Sequence, residues 1–240
     1  MTARTGRMNA SDEANAYPAP HVTVDLVIFT VRDEQLHVLL MKRGAPPHKG
    51  LWALPGGYIH PEEDLDLDAT ARRILLEKAG IETPYLEQLQ GFGSATRDPR
   101  GWTATFTYFA LISSETLALR QGANAEKVAW RTISGYGAAP GLAFDHDQIL
   151  TAAVTRLRSK VEYTSLPVHL LPTKFTLTDL QRIYEQILAR PMDKSAFRKR
   201  IAREDFLEPV EGEMRRASNR PAQIYRLKPG QATAFFDSTI

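Results

Sequence analysis

Residues 51–81 read LWALPGGYIHPEEDLDLDATARRILLEKAGI. Pro55-Gly56-Gly57 is turn material, because glycine reaches backbone conformations closed to other residues. An acid-rich loop follows, with Glu62, Glu63, Asp64, Asp66 and Asp68. Asp66 or Asp68 suits the N-cap of a helix, where a carboxylate accepts from unpaired N–H groups and meets the positive end of the helix dipole. The helix then runs to Gly80, a C-terminal stop. On it Arg73 and Glu77 stand four residues apart, a spacing that makes a surface ion pair of a few tenths of a kcal/mol.

Outward from this stretch the pattern is that of a sheet. The β-branched run VTVDLVIFTV after His21, and Gln35 to Met41, predict two paired strands around the turn Arg32-Asp33-Glu34. Lys42-Arg43-Gly44-Ala45-Pro46-Pro47 leaves the second strand as a loop, since proline cannot continue a central strand. Downstream, Trp102 to Leu111 alternates threonine with bulky residues and predicts a strong strand. The turn Arg97-Asp98-Pro99-Arg100-Gly101 enters it as a hairpin and offers Arg97 and Arg100 to an anionic ligand. Glu126 to Arg131 reads as a further strand, and Ser134 to Gly141 as a connector of small residues. Asp145 to Tyr163 places Ile149, Leu150, Ala153, Val154, Leu157 and Val161 at helical spacing, with acids first and cations later.

From Leu166 onward the order is helix, turn, helix, hairpin, which is that of a winged helix-turn-helix. Thr176 or Thr178 caps the first helix, whose apolar face is Leu180, Ile183, Tyr184, Ile187 and Leu188. Pro191 stops it and Asp193 caps the second. There Phe197, Ile201 and Ala202 are expected inside, with Lys194, Ser195, Arg198, Lys199 and Arg200 outside. Two strands, Phe206 to Val210 and Gln223 to Leu227, flank a loop bearing Arg215, Arg216, Asn219 and Arg220. A helix that enters the major groove reads bases from its N-terminal half, while helix and wing cations hold phosphates. The expected DNA contacts are therefore Thr178, Lys194, Ser195, Arg198, Lys199, Arg200, Arg215, Arg216, Asn219 and Arg220.

Charge distribution agrees with this division. Residues 1–150 carry 14 Lys/Arg against 18 Asp/Glu, and residues 151–240 carry 16 against 10. A basic C-terminal third suits a polyanion, and a mildly acidic first part suits a small ligand. Without cysteine the chain has neither a disulfide framework nor a thiol nucleophile. It lacks an apolar run of the ~20 residues that span a bilayer and a signal-peptide core, so a cytoplasmic protein is expected.

The turn, acidic loop and helix, preceded by Leu36 to Gly44, resemble the signature of Nudix hydrolases. Their fold is a mixed sheet between helices, and they hold Mg²⁺ through glutamates that follow an arginine on one helix face. Aligned on Gly80, that pattern puts acids where this chain has Ile74 and Lys78, and only Glu77 matches. The interval from Gly57 to Gly80 is also two residues longer than the family's. Glu77 is thus the residual catalytic candidate, Glu63 and Glu77 are the metal candidates, and other loop acids are available to compensate.

The whole chain from His21 to about Leu227 resembles the Nudix-related transcriptional regulators of NAD metabolism, the NrtR family. VTVDLVIFT, VLLMKRG, LWALPGG, DPRG before a strand and RPAQIYR carry that resemblance. Residues 1–20, small, polar and without apolar periodicity, are expected to be a disordered tail; the resemblance implies 21–141 as a Nudix-like sensing domain, 142–165 as a linker helix and 166–240 as a winged helix. It further implies a homodimer that binds an inverted-repeat operator in double-stranded DNA, with ADP-ribose or a related NAD metabolite as effector. Arg43, Trp52, Gly57, Arg73, Glu77, Arg97 and Arg100 are the expected ligand contacts, with Trp52 open also, and first, to a place in the core. No cofactor is required; Mg²⁺ enters only with residual ADP-ribose hydrolysis. A bifunctional repressor that still hydrolyses, and a regulator of sugar catabolism with another effector, are the alternatives.

Overall fold

The computed structural model describes residues 19–80, 83, 85–114, 125–133, 141–216, 221–231, 233–237 and 239–240. Nearly all of the expected tail, most of the small-residue connector, and Asn219 and Arg220 lie outside the described residues.

Strand β1 (His21–Arg32) forms the spine of a mixed sheet. It pairs antiparallel with β2 (Gln35–Arg43) through Phe29 to Arg32, but with β4 (Gly56–Tyr58) through Thr23 to Asp25. The short β3 (Trp52–Ala53) pairs with β2 at Met41 and Lys42. β1 and β2 therefore part company beyond Phe29, and the Pro55-Gly56-Gly57 turn fills the opening. Helix α1 (Leu67–Ala79) is capped by Asp66, which accepts from Ala69 N–H at 2.7 Å, and is closed by left-handed Gly80. On the far edge of β1 runs the parallel β6 (Thr103–Leu111), paired in turn with β5 (Tyr85–Ser94), while β7 (Ala125–Thr132) pairs with β2.

Side chains alternate across a strand, and β1 shows what this decides. Val24, Leu26 and Ile28 face α1, where Ala71, Ile74 and Leu75 cover them. Val27, Phe29 and Val31 face helix α2 (His146–Val161). That second face does not end with the sheet. Its apolar cluster runs through Leu157 and Val161 into Leu180, Tyr184, Ile187, Phe197 and Phe206 of the C-terminal part. One core thus joins the sheet to the winged helix, with α2 packed inside it.

The C-terminal unit holds β8 (Phe175–Thr176), α3 (Leu177–Leu188), α4 (Lys194–Arg203), β9 (Leu207–Arg215) and β10 (Ala222–Leu227), its three strands ordered β8-β10-β9. Thr176, not Thr178, caps α3: it accepts from Asp179 N–H while Asp179 accepts from Thr176 N–H. Asp193 caps α4. Strand β9 extends to Arg215, which therefore belongs to the wing's strand rather than to its loop, and Ala202 is exposed, not internal.

Candidate effector cleft and nucleic-acid interface

A cleft of about 470 Å³ opens where β1 and β2 separate. Its lining includes six cations, Lys42, Arg43, Arg73, Lys78, Arg97 and Arg100, against three acids, Asp25, Glu77 and Asp98. Such a concavity suits an anion.

Arg43 leaves β2 into the loop, where its Nε donates to the Pro47 carbonyl at 2.7 Å and its guanidinium lies 4.7 Å from the centre of the Phe144 ring. Burial, then the nearby Arg100, lowers its pKa from the usual arginine value. Arg100 holds Asp98 at 2.6 Å and lies over Tyr58. That hydrogen-bonded partner keeps the Asp98 carboxyl below the ordinary aspartate range. Arg97 lines the cleft too, but its side chain is only 5 % exposed. It donates to both carboxylate oxygens of Asp145, at 2.9 and 2.8 Å, and to Asp25 at 3.3 Å. Arg97 is therefore already matched by protein carboxylates, not an open cation.

Asp25 and His146 were not among the expected contacts. Asp25 shares its side of β1 with Val27 and Phe29 and faces the start of α2, where His146 Nε2 is 3.8 Å away. His146 Nδ1 accepts from Leu54 N–H at 2.9 Å, and burial pushes the imidazole toward its neutral form. Gly56 is required here: a Cβ would stand 2.0 Å from Asp25 Oδ1. The signal was present in VTVDLVIFT, as one acid in an apolar strand, but its partners lie 72 and 121 residues away.

Trp52 is turned away from the cleft. On a strand its neighbour Ala53 takes the cleft side, so the indole packs on the main core with Arg131 at 4.7 Å over its ring. Gly57 does line the cleft, against Ile74.

The residues around Glu77 do not fit a divalent cation. Ile74 is fully buried, and Lys78 adds positive charge where oxygen ligands are needed. Asp64 does not compensate. It takes two hydrogen bonds from Arg73, at 2.7 and 2.8 Å, and others from Thr70 and His60 N–H. The Arg73 bonds hold its carboxyl far below the normal range. Glu77 is left with Arg73 at 3.3 Å, and Glu63 pairs with His60 in the open. Among the described residues no three His, Cys, Asp or Glu side chains could hold a metal. Arg73, which also donates to the Tyr58 carbonyl at 3.0 Å, staples the loop to the helix.

In the C-terminal unit, Lys194, Ser195, Arg198 and Lys199 share the exposed side of α4. Arg200 does not join them. It turns inward to Glu204 at 2.9 Å and lies over Phe236. Arg215 is tied to Asp179 at 2.6 Å, which fixes the wing against the start of α3, and Arg216 is exposed beyond it. Thr178 is half-buried in the first turn of α3.

Two family models match, the NUDIX domain over residues 19–153 and the NrtR DNA-binding winged helix domain over residues 167–227. A protein of Acinetobacter baylyi, described as the ADPR responsive transcriptional repressor NtrR, is 45 % identical over 217 residues, 90 % of this chain and 86 % of that protein. The chain belongs to the NrtR family. Shewanella oneidensis NrtR, solved with a 27mer DNA, superposes on it with a TM-score of 0.83 at 40 % identity, covering 91 % of this chain and 99 % of that one. The NUDIX domain of the same NrtR, solved with ADP ribose, gives a TM-score of 0.53 at 38 % identity and covers 62 % of this chain and 99 % of its own. Within this NrtR-family chain no helix among the described residues is long and apolar enough to cross a membrane.

Proposed function

We propose that this protein is a DNA-binding transcriptional repressor of NAD metabolism whose effector is ADP-ribose or a closely related nucleotide. The observation that carries the reading is the pairing, on one continuous core, of a cationic cleft unsuited to a metal with a winged helix whose α4 exposes Lys194, Arg198 and Lys199. Binding an anion needs only cations and apolar walls, whereas pyrophosphate cleavage needs charge stabilisation of the transition state that this acid-poor helix does not supply. The excess of cations over acids in the lining, six against three, favours a phosphorylated effector over a neutral sugar. The relatives solved with DNA and with ADP ribose support both ends of this reading. A homodimer places two α4 helices on an inverted repeat, and bacterial cytoplasm, on the nucleoid, is where it acts.

The test is fluorescence anisotropy of operator DNA with ADP-ribose titrated in. Reciprocal linkage requires that ADP-ribose weaken operator binding by the same factor as operator weakens ADP-ribose binding. Operator affinity indifferent to ADP-ribose would remove the effector assignment, and failure to bind any inverted repeat would remove the repressor.

A further inference from the structure

Three consecutive residues at the start of α2 each touch a different wall of the cleft. Phe144 lies over Arg43 and packs edge-on against His48, 4.7 Å between ring centres. Asp145 takes Arg97, and His146 takes Leu54 N–H. Phe144 also holds φ 58°, a left-handed conformation that is strained for a bulky residue and persists only where surroundings impose it.

Asp145 occupies the N-cap position of α2, yet its side chain makes no cap hydrogen bond. An aspartate there ordinarily accepts from the N–H groups of the first turn. Both its oxygens instead meet the guanidinium of Arg97 in the fork arrangement that arginine also offers to phosphate. Arg97 meanwhile serves Asp25 as well, so two carboxylates compete for one guanidinium. The two differ in their freedom to yield. Asp25 is fixed in the middle of the sheet, whereas Asp145 sits at a helix end.

We infer that Asp145 is an internal stand-in for the effector's phosphates: an anion entering the cleft takes Arg97 from it and releases the first turn of α2. The inference rests on reading the cleft as an ADP-ribose site. Released, the helix start loses one of the contacts that set its position against the sheet. Its other end is tied into the DNA-reading unit: Arg158 Nε donates to the Ile187 carbonyl at 2.9 Å, and Tyr184 Oη to the Thr164 carbonyl at 2.6 Å. A 16-residue helix moves as a rigid rod, so a shift at Asp145 reaches α3 and, in a dimer, the spacing of the two reading helices.

The experiment compares wild-type protein with Asp145→Asn and Asp145→Glu, with ADP-ribose affinity measured by calorimetry and operator affinity by anisotropy. Asp145→Asn should bind ADP-ribose about tenfold more tightly. Its ligand-free operator affinity should already equal that of ADP-ribose-bound wild type, and ADP-ribose should then change it little. Asp145→Glu, which keeps the charge, should respond as wild type does. On the wild type alone, hydrogen exchange should quicken with ADP-ribose at Gln148 and Ile149, whose amides donate to the Asp145 carbonyl. Asp145→Asn that keeps the wild-type operator response, or unchanged exchange in that turn, overturns the stand-in while leaving the effector assignment intact. Wild type that does not bind ADP-ribose overturns both.

Discussion

The hydroxyl of Tyr184 donates to the backbone carbonyl of Thr164 across 2.6 Å, in the interior of the protein. This bond joins the first helix of the winged helix to the chain just beyond α2, and burial pushes the phenol's pKa well above its usual value. Tyr184→Phe keeps the ring packed on Phe197 but leaves a buried carbonyl without its donor. The expected cost is about 1–2 kcal/mol, measured as a lower urea midpoint. Because one core runs through both units, sheet and winged helix should unfold in a single transition; two separate transitions would contradict the shared core.

Arg198→Ala with Lys199→Ala removes two exposed cations from α4 and no buried contact. Operator affinity should fall and the slope of log affinity against log salt should flatten by about two. The melting temperature should stay within a few degrees, on the order of surface substitutions. Wild-type binding by this pair would exclude α4 as the reading helix.

Replacing Ile74 by glutamate restores the residue type of the Nudix pattern but places a charge at a fully buried position in the apolar cluster that holds Leu26 and Ala71. Destabilisation of roughly 3 kcal/mol or more is expected, with no gain of Mg²⁺-dependent ADP-ribose cleavage. A stable variant that turns over ADP-ribose would show that one missing acid was all that silenced the site.

Stability should respond to acid in two steps. Protonating His146 costs the Leu54 hydrogen bond and charges a buried ring; Asp25 and Asp145 favour that charge, Arg97 and Arg43 oppose it, and burial prevails. The unfolded chain then binds the proton more readily, so this contribution is complete above about pH 6.5 and is lost as pH falls below it. Asp64, held ionised by Arg73, contributes fully above about pH 3.9 and is lost only in stronger acid. Urea unfolding followed from pH 8 down into strong acid should show the upper step whole and the onset of the lower, with His146→Gln flattening the upper and Asp64→Asn the lower.

Local chemistry was enough to read the elements. Asp66, Gly80 and Asp193 act as caps and stops because capping needs only a few neighbouring residues, and the alternation in Trp102 to Leu111 needs only a strand's own period. The two-unit architecture and the exposed cations of α4 followed from the same short-range rules. What tertiary structure alone decided was the fate of each charge. Arg97 read as an open cation and is closed by Asp25 and Asp145; Asp64 read as a spare ligand and is spent on Arg73; Arg200 read as a DNA contact and folds onto Glu204 and Phe236. Trp52 read as either a core aromatic or a cleft wall, and the register of β3 against β2 decided for the core by giving the cleft side to Ala53. A side chain's composition says that it is charged or aromatic, but its partner comes from strands and helices tens of residues away. Their meeting depends on how the sheet splits at Asp25, a long-range event that no local pattern encodes.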